Sequence, residues 1–399
     1  MRFATVLIAL LVLAAPAVAQ KEIVTMEGGD LGLPFSPAVW AGDVLYLSGA
    51  LGNEPGTTNI TGDAEAQTKQ TLANLTAAAK AAGISLDRVV SMDLYLADRG
   101  EFRAISKVLA SELKTPVPPA RATLEADMAL REAKLEIGMV AVRDGVEIKR
   151  ITPMRWPDKG FSWGVMAGKN LFISGMLSND PALNLFHQGD AGEQTSKALA
   201  NVDAVLKAAE MSKKDVVRCR VFLADARDYD AMNKAYGEYF DDAPPARATV
   251  RAKLLPSDAR VEIQCQAVKD GDRKIVRAKG EKPSGRPFSP AVEADGLLYV
   301  AGMVGRAADG YPAGVEAQTE VTLDRLAKSL EAAGLDFGDV VNATVYLTDI
   351  RHYSAMNAIY AERVGTPAPA RATVGTALMS PDALVEIQMT AVRPKDAKK

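Results

Sequence analysis

One pentapeptide, Pro-Ala-Arg-Ala-Thr, occurs three times, at 119–123, 245–249 and 369–373, so any fold proposed for this chain must be built three times over. Each copy is followed by an apolar strand with one acid, Glu136, Glu262 or Glu386, always 15 residues after the arginine. The copies lie 126 and 124 residues apart, the length of an ordinary domain. That period divides the chain into 20–145, 146–271 and 272–399 behind a leader of 1–19.

Residues 1–19 have a basic start at Arg2, an apolar run from Ala4 to Val18 and small residues before Gln20, the pattern of a cleavable secretory signal. The expected location is therefore periplasmic or secreted, with no membrane span once the leader is removed. The net charge of -3 has its two signs mixed along the chain, which gives no footprint for a polyanion and argues against nucleic acid as a partner.

Within each repeat the pattern reads strand, strand, helix, strand, helix, strand, strand. Gly42-Asp43, Gly168-Lys169-Asn170 and Asp295-Gly296 stand between pairs of apolar runs, as hairpin turns require. Leu72, Leu75, Ala79 and Ala82 recur at helical spacing, as do Leu199, Val202, Leu206 and Ala209, and Leu323, Leu326, Leu330 and Ala333. Gly83 and Gly334 then occupy the expected C-terminal cap, where the second copy has Glu210. The unit is thus α+β, with both helices on one face of a sheet. On the last strand Glu262, Gln264 and Gln266 alternate with apolar residues, and Glu386, Gln388 and Thr390 share the phase. Such a polar face without Lys or Arg suits a hydrogen-bonded surface between domains, with three units around a pseudo-threefold axis. Arg143 to Lys159 and Lys269 to Arg286, rich in charge, Pro and Gly, read as linkers. Cys219 and Cys265 fall on the apolar faces of predicted strands and read as buried structural thiols; an oxidising compartment permits a disulfide, but the first and third copies manage without one, so it is not the organising element.

Pro-Ala-Arg-Ala-Thr followed by Val-Glu-Ile, with a helix beginning Ala-Gln-Thr and a strand ending Ser-Gly, resembles the RidA/YjgF family, also called endoribonuclease L-PSP. The resemblance implies a mixed-sheet fold similar to chorismate mutase and an arrangement of three domains in which one chain replaces a homotrimer. It also implies sites at the interfaces and hydrolysis of reactive imines and enamines to ketoacids and ammonia, with no cofactor and no metal. The family's carboxylate-binding arginine corresponds to Arg121, Arg247 and Arg371, and its catalytic glutamate to Glu136, Glu262 and Glu386. Substrate-binding positions correspond to Ser48 and Ser174, to Thr123, Thr249 and Thr373, and to Asn233 and Asn357, with Tyr236 and Tyr360 three residues beyond the asparagines.

The first copy departs from that set with Ser106 and Leu109, and the third with Ala301 in place of the serine, so at least one site is expected to be degenerate and the second copy to hold the fullest set. Gly138, Gln264 and Gln388 replace the second acid of a typical Glu-Ile-Glu, and Phe35, Phe161 and Phe288 stand where Tyr is frequent.

Arginine's planar donor fork matches a carboxylate, and a glutamate beside an imine carbon can act as general acid and base. The 15-residue spacing places the two on neighbouring strands of a hairpin. His187 and His352 are the only histidines and lie in different copies, which excludes a repeated Ser-His-Asp triad. Three readings follow: an exported imine deaminase, a non-catalytic protein that captures small carboxylates, and a ribonuclease, which the charge and histidine content disfavour.

Overall fold

The computed structural model describes residues 21–26, 32–183, 185–281 and 285–394; the leader of 1–19 lies outside them. Each repeat folds as one seven-stranded mixed sheet with two helices against it. In the first domain the strand order across the sheet is Lys21–Val24, Ala38–Ala41, Val44–Ala50, Leu135–Val142, Val89–Leu96 and Ala120–Glu125. Only Val89–Leu96 and Ala120–Glu125 run parallel, because the helix between them returns the chain to its starting edge. The helices are α1 (Ala64–Ala81) and α2 (Phe102–Glu112), then α3 (Ala191–Ala208) and α4 (Tyr229–Phe240), and α5 (Val315–Ala332) and α6 (Tyr353–Val364).

The apolar positions expected to face the sheet do so: Leu72, Leu75 and Ala79 pack in one core, Leu199, Val202 and Leu206 in the second, and Leu323, Leu326 and Leu330 in the third. After α1 and α5 the chain turns through Gly83 (φ 81°) and Gly334 (φ 70°), and after α3 through Glu210 (φ 57°). At all three ends the next residue donates its N–H five residues back, from Ile84 to Ala79, Met211 to Leu206 and Leu335 to Leu330. Glu210 alone bears a Cβ in this left-handed conformation. Glu210→Gly is expected to stabilise the protein by about 1 kcal/mol in urea denaturation, since the exposed ion pair it loses with Lys269 contributes little.

Two expectations are corrected. The segments read as linkers contain strands, Ile148–Ile151 and Lys274–Val276, which form the outer edges of the second and third sheets. Cys219 and Cys265, read as buried structural thiols with a disulfide permitted, are cross-strand partners on Val216–Leu223 and Val261–Val268, with Cα atoms 4.2 Å apart and a disulfide between them.

The seventh strand of each sheet comes from another domain. Lys253–Leu254 pairs with Ala120–Glu125, Ala377–Leu378 with Ala246–Arg251, and Asp127–Met128 with Ala370–Gly375. Second joins first, third joins second, and first joins third, so the ring closes on itself. A core between the domains draws equivalent residues from all three, including Tyr95, Phe222 and Tyr346, and Leu124, Val250 and Val374. The polar strand faces meet inside this ring, as their alternation requires. Gln264 donates to Asp93 of the first domain (3.3 Å) and Gln266 to Tyr299 of the third (3.3 Å). Arg220, almost fully buried, binds both Asp93 and Gln264.

Candidate functional site

The arginine and glutamate of one repeat are not on neighbouring strands. Val89–Leu96 separates Ala120–Glu125 from Leu135–Val142, and the other domains repeat the arrangement. Each glutamate instead reaches the next Pro-Ala-Arg strand around the ring. Glu136 Oε1 accepts from the Thr373 backbone N–H and Glu386 Oε1 from that of Thr249, each at 3.3 Å, and the Thr123 N–H serves Glu262 in the same way. The pairs facing one another are therefore Arg121 with Glu262, Arg247 with Glu386, and Arg371 with Glu136.

A break in strand register gives each acid its room. The pairing of Val44–Ala50 with Leu135–Val142 slips between Leu47 and Ala50, and that of Leu297–Val304 with Val385–Val392 between Val300 and Met303. These irregularities surround Gly49 and Gly302. A Cβ there, or at Gly175, would overlap the carboxyl of Glu136, Glu386 or Glu262 respectively, so glycine is required by close approach.

Burial pushes the Glu136 and Glu262 carboxyls up to about 8 and Glu386 up to about 7, against the pull of the threonine N–H and the facing arginine. Desolvation penalises the charged form more than one backbone donor and one cation restore it. At neutral pH Glu136 and Glu262 thus hold a proton, and Glu386 is divided between its two forms, so each can both give a proton and take it back.

The arginines are held by aromatic rings and by the second helix of their own domain. Arg371 lies 4.7 Å from the Tyr360 ring centroid and 5.3 Å from that of Phe35, and its Nη2 donates to Asn357 Oδ1 at 2.7 Å. Arg247 repeats this with Tyr236 (4.6 Å), Phe288 (5.3 Å) and Asn233 (2.6 Å). Arg121 sits between Phe102 (5.5 Å) and Phe161 (5.3 Å), with Ser106 and Leu109 at the positions of the asparagine and tyrosine. Buried Arg371 Nη1 has no partner among the described residues, a donor that an anion would satisfy.

Ser48 and Ser174 join the site through the backbone. Ser48 Oγ accepts from the Arg371 N–H (2.8 Å) and donates to the Ser36 carbonyl (2.6 Å). Ser174 does the same between Arg121 and Ser162. Each clamps the arginine strand of one domain onto the hairpin of the next.

Family models described as "Endoribonuclease L-PSP" match residues 31–143, 154–269 and 280–393, most of the chain. The chain belongs to this family. The chain is similar to Protein DfrA of Myxococcus xanthus, 45% identical over 104 residues, 26% of this chain and 79% of that protein. It is also similar to a 2-iminobutanoate/2-iminopropanoate deaminase of Capra hircus, 39% identical over 108 residues, 27% of this chain and 79% of that protein. A solved chorismatase shares the overall fold with a TM-score of 0.54 at 16% identity, across 77% of this chain and 93% of its own.

Because each candidate site spans two domains, the fullest residue set is not that of the second copy. Arg371, Asn357 and Tyr360 of the third domain meet Phe35, Ser48 and Glu136 of the first, and this cleft has every member. The Arg247 cleft lacks only the serine, where Ala301 stands, while the Arg121 cleft lacks the asparagine and the tyrosine. The Arg247 cleft also opens into a cavity of about 570 Å3 lined by Arg286, Arg306, Tyr311 and Arg325, residues the sequence reading did not single out.

Proposed function

We propose that this chain is an exported deaminase that hydrolyses small imines or enamines bearing a carboxylate. What supports the reading is the repeated juxtaposition of a fixed arginine with a buried, protonated glutamate from the next domain, together with the similarity to 2-iminobutanoate/2-iminopropanoate deaminases. Arginine receives the substrate carboxylate, which at the Arg371 cleft also satisfies the buried Nη1 donor. The imine nitrogen then faces the glutamic acid. Glutamic acid gives its proton to that nitrogen, and the resulting carboxylate takes a proton from water as its oxygen bonds to carbon. The same group returns the proton to nitrogen; the C–N bond breaks, ammonia leaves, and the carboxylate removes the hydroxyl proton as the carbonyl forms.

Imine and water thereby become ketone and ammonia, and the acid ends as it began. No cofactor takes part, and one chain supplies the three clefts that separate subunits would otherwise form. Export rests on the pattern of residues 1–19 and accords with the Cys219–Cys265 bond.

The test is ammonia release by the mature protein from freshly generated imines of small amino acids. The expected result is turnover above the uncatalysed rate, lowered competitively by small carboxylates such as pyruvate. No turnover, with carboxylates still raising the melting temperature, would leave a binding protein.

A further inference from the structure

The three clefts are not equivalent, and the difference lies at two positions that change together. Four residues after Gly49 and Gly175 the chain has Asn53 and Asn179, whereas four after Gly302 it has Arg306. Seven residues after Gln67 and Gln194 it has Asn74 and Asn201, whereas seven after Gln318 it has Arg325. Asn74 donates to the Leu51 and Asn53 carbonyls, both at 2.9 Å, and Asn201 to those of Leu177 (2.9 Å) and Asn179 (2.7 Å). Arg325 keeps one such bond, from Nη1 to the Val304 carbonyl at 2.7 Å, and carries a charge to the cavity wall.

The Arg247 cavity is accordingly lined by four arginines, at 247, 286, 306 and 325, and by one acid, Glu386. Arg325 is half-buried and Arg247 almost wholly buried. Among the described residues neither makes an ion pair, although Glu281 and Glu386 lie close enough to Arg325 to act on it. Arg286 and Arg306 are exposed, so the electrostatic cost falls on Arg247 and Arg325, whose burial beside a single lining acid is eased when a ligand supplies negative charge. A carboxylate on Arg247 accounts for one of them. It leaves the paired Asn-to-Arg change on the opposite domain without a purpose, and a cavity of about 570 Å3 has room for a larger molecule.

We propose that the cleft between the second and third domains takes a dianionic small molecule, its carboxylate on Arg247 and a second anionic group, carboxylate or phosphate, on Arg306 and Arg325. The inference rests on the reading that Arg247 receives a carboxylate, and it names the substrate class of that one cleft. The Arg121 and Arg371 clefts, with asparagines at both positions, remain suited to monocarboxylates.

The test is calorimetric binding to the mature full chain of 2-oxobutyrate as monoanion, 2-oxoglutarate as dicarboxylate, and phosphoglycolate as the phosphate-bearing probe. One site per chain should bind at least one of the two larger anions about tenfold or more tightly than 2-oxobutyrate. Their relative affinities identify the second group. In Arg306→Asn/Arg325→Asn, which gives this cleft the asparagines of the other two at both positions, the preference should vanish while 2-oxobutyrate binding persists. Arg306→Asn alone, at an exposed position, should reduce it even if the double variant fails to fold. Equal affinity for all three probes, no binding of either larger anion, or a preference that survives Arg306→Asn would each overturn the proposal. Because heat of binding requires no turnover, a dianion site without ammonia release would refute the deaminase reading and leave this one standing.

Discussion

Changing Glu136, Glu262 and Glu386 together to Gln is expected to lower kcat/KM for imine hydrolysis by about 100- to 10,000-fold, the range associated with removing a positioned general acid and base. Glutamine keeps the carbonyl oxygen that accepts from the threonine N–H, so the clefts should retain their shape and the loss should fall on proton transfer. Restoring one acid at a time to the triple variant then ranks the clefts. With a monocarboxylate imine, restoring Glu136 should recover the most activity, because it faces the arginine fixed by Asn357, by two aromatic rings and, through its backbone, by Ser48. Glu262 should recover the least. It faces Arg121, whose guanidinium lies between Phe102 and Phe161 with neither the asparagine nor the tyrosine that the others have. Steady-state ammonia release by the four proteins measures this, and equal recovery from each acid would refute the ranking.

The same ranking shows what a sequence can carry. The threefold repeat, the strands from Val89, Val216 and Val340, and the buried helix stripes were legible because hydrophobic period reports directly on which face is covered. The partner of each glutamate was not. A spacing of 15 residues says nothing of which strand is inserted between two others, and here the parallel strand displaces the expected hairpin neighbour. Ile148–Ile151 was missed for a related reason: with Lys149 and Arg150 between two isoleucines, a short edge strand has the composition of a linker. The Arg306 and Arg325 pair was available in principle, since both stand in register with asparagines of the other repeats. Its meaning required knowing that a loop after one strand and the middle of a helix line the same cavity.

Loss of the three acids should also make the protein more stable in alkali, which separates the cost of the site from the stability of the fold. An unfolded glutamate titrates near 4.3, whereas Glu136 and Glu262 titrate at about 8 and Glu386 at about 7 in the folded chain. Between these limits the native state holds more protons than the unfolded one, so stability must fall as pH rises through the window and level off above it. Fully expressed, the penalty is on the order of 5 kcal/mol at each of Glu136 and Glu262 and about 4 kcal/mol at Glu386, present at pH 9 and nearly absent at pH 4. Local opening that readmits water to an ionised carboxylate will make the measured values smaller. Urea denaturation of wild type and the triple Gln variant at pH 4, 7 and 9 should therefore give curves that diverge with pH, the variant being the more stable at pH 9 by several kcal/mol and the two nearly equal at pH 4. Parallel pH profiles would mean that the glutamates ionise in the folded protein as readily as in water, and the acid that the proposed mechanism needs at neutral pH would not exist.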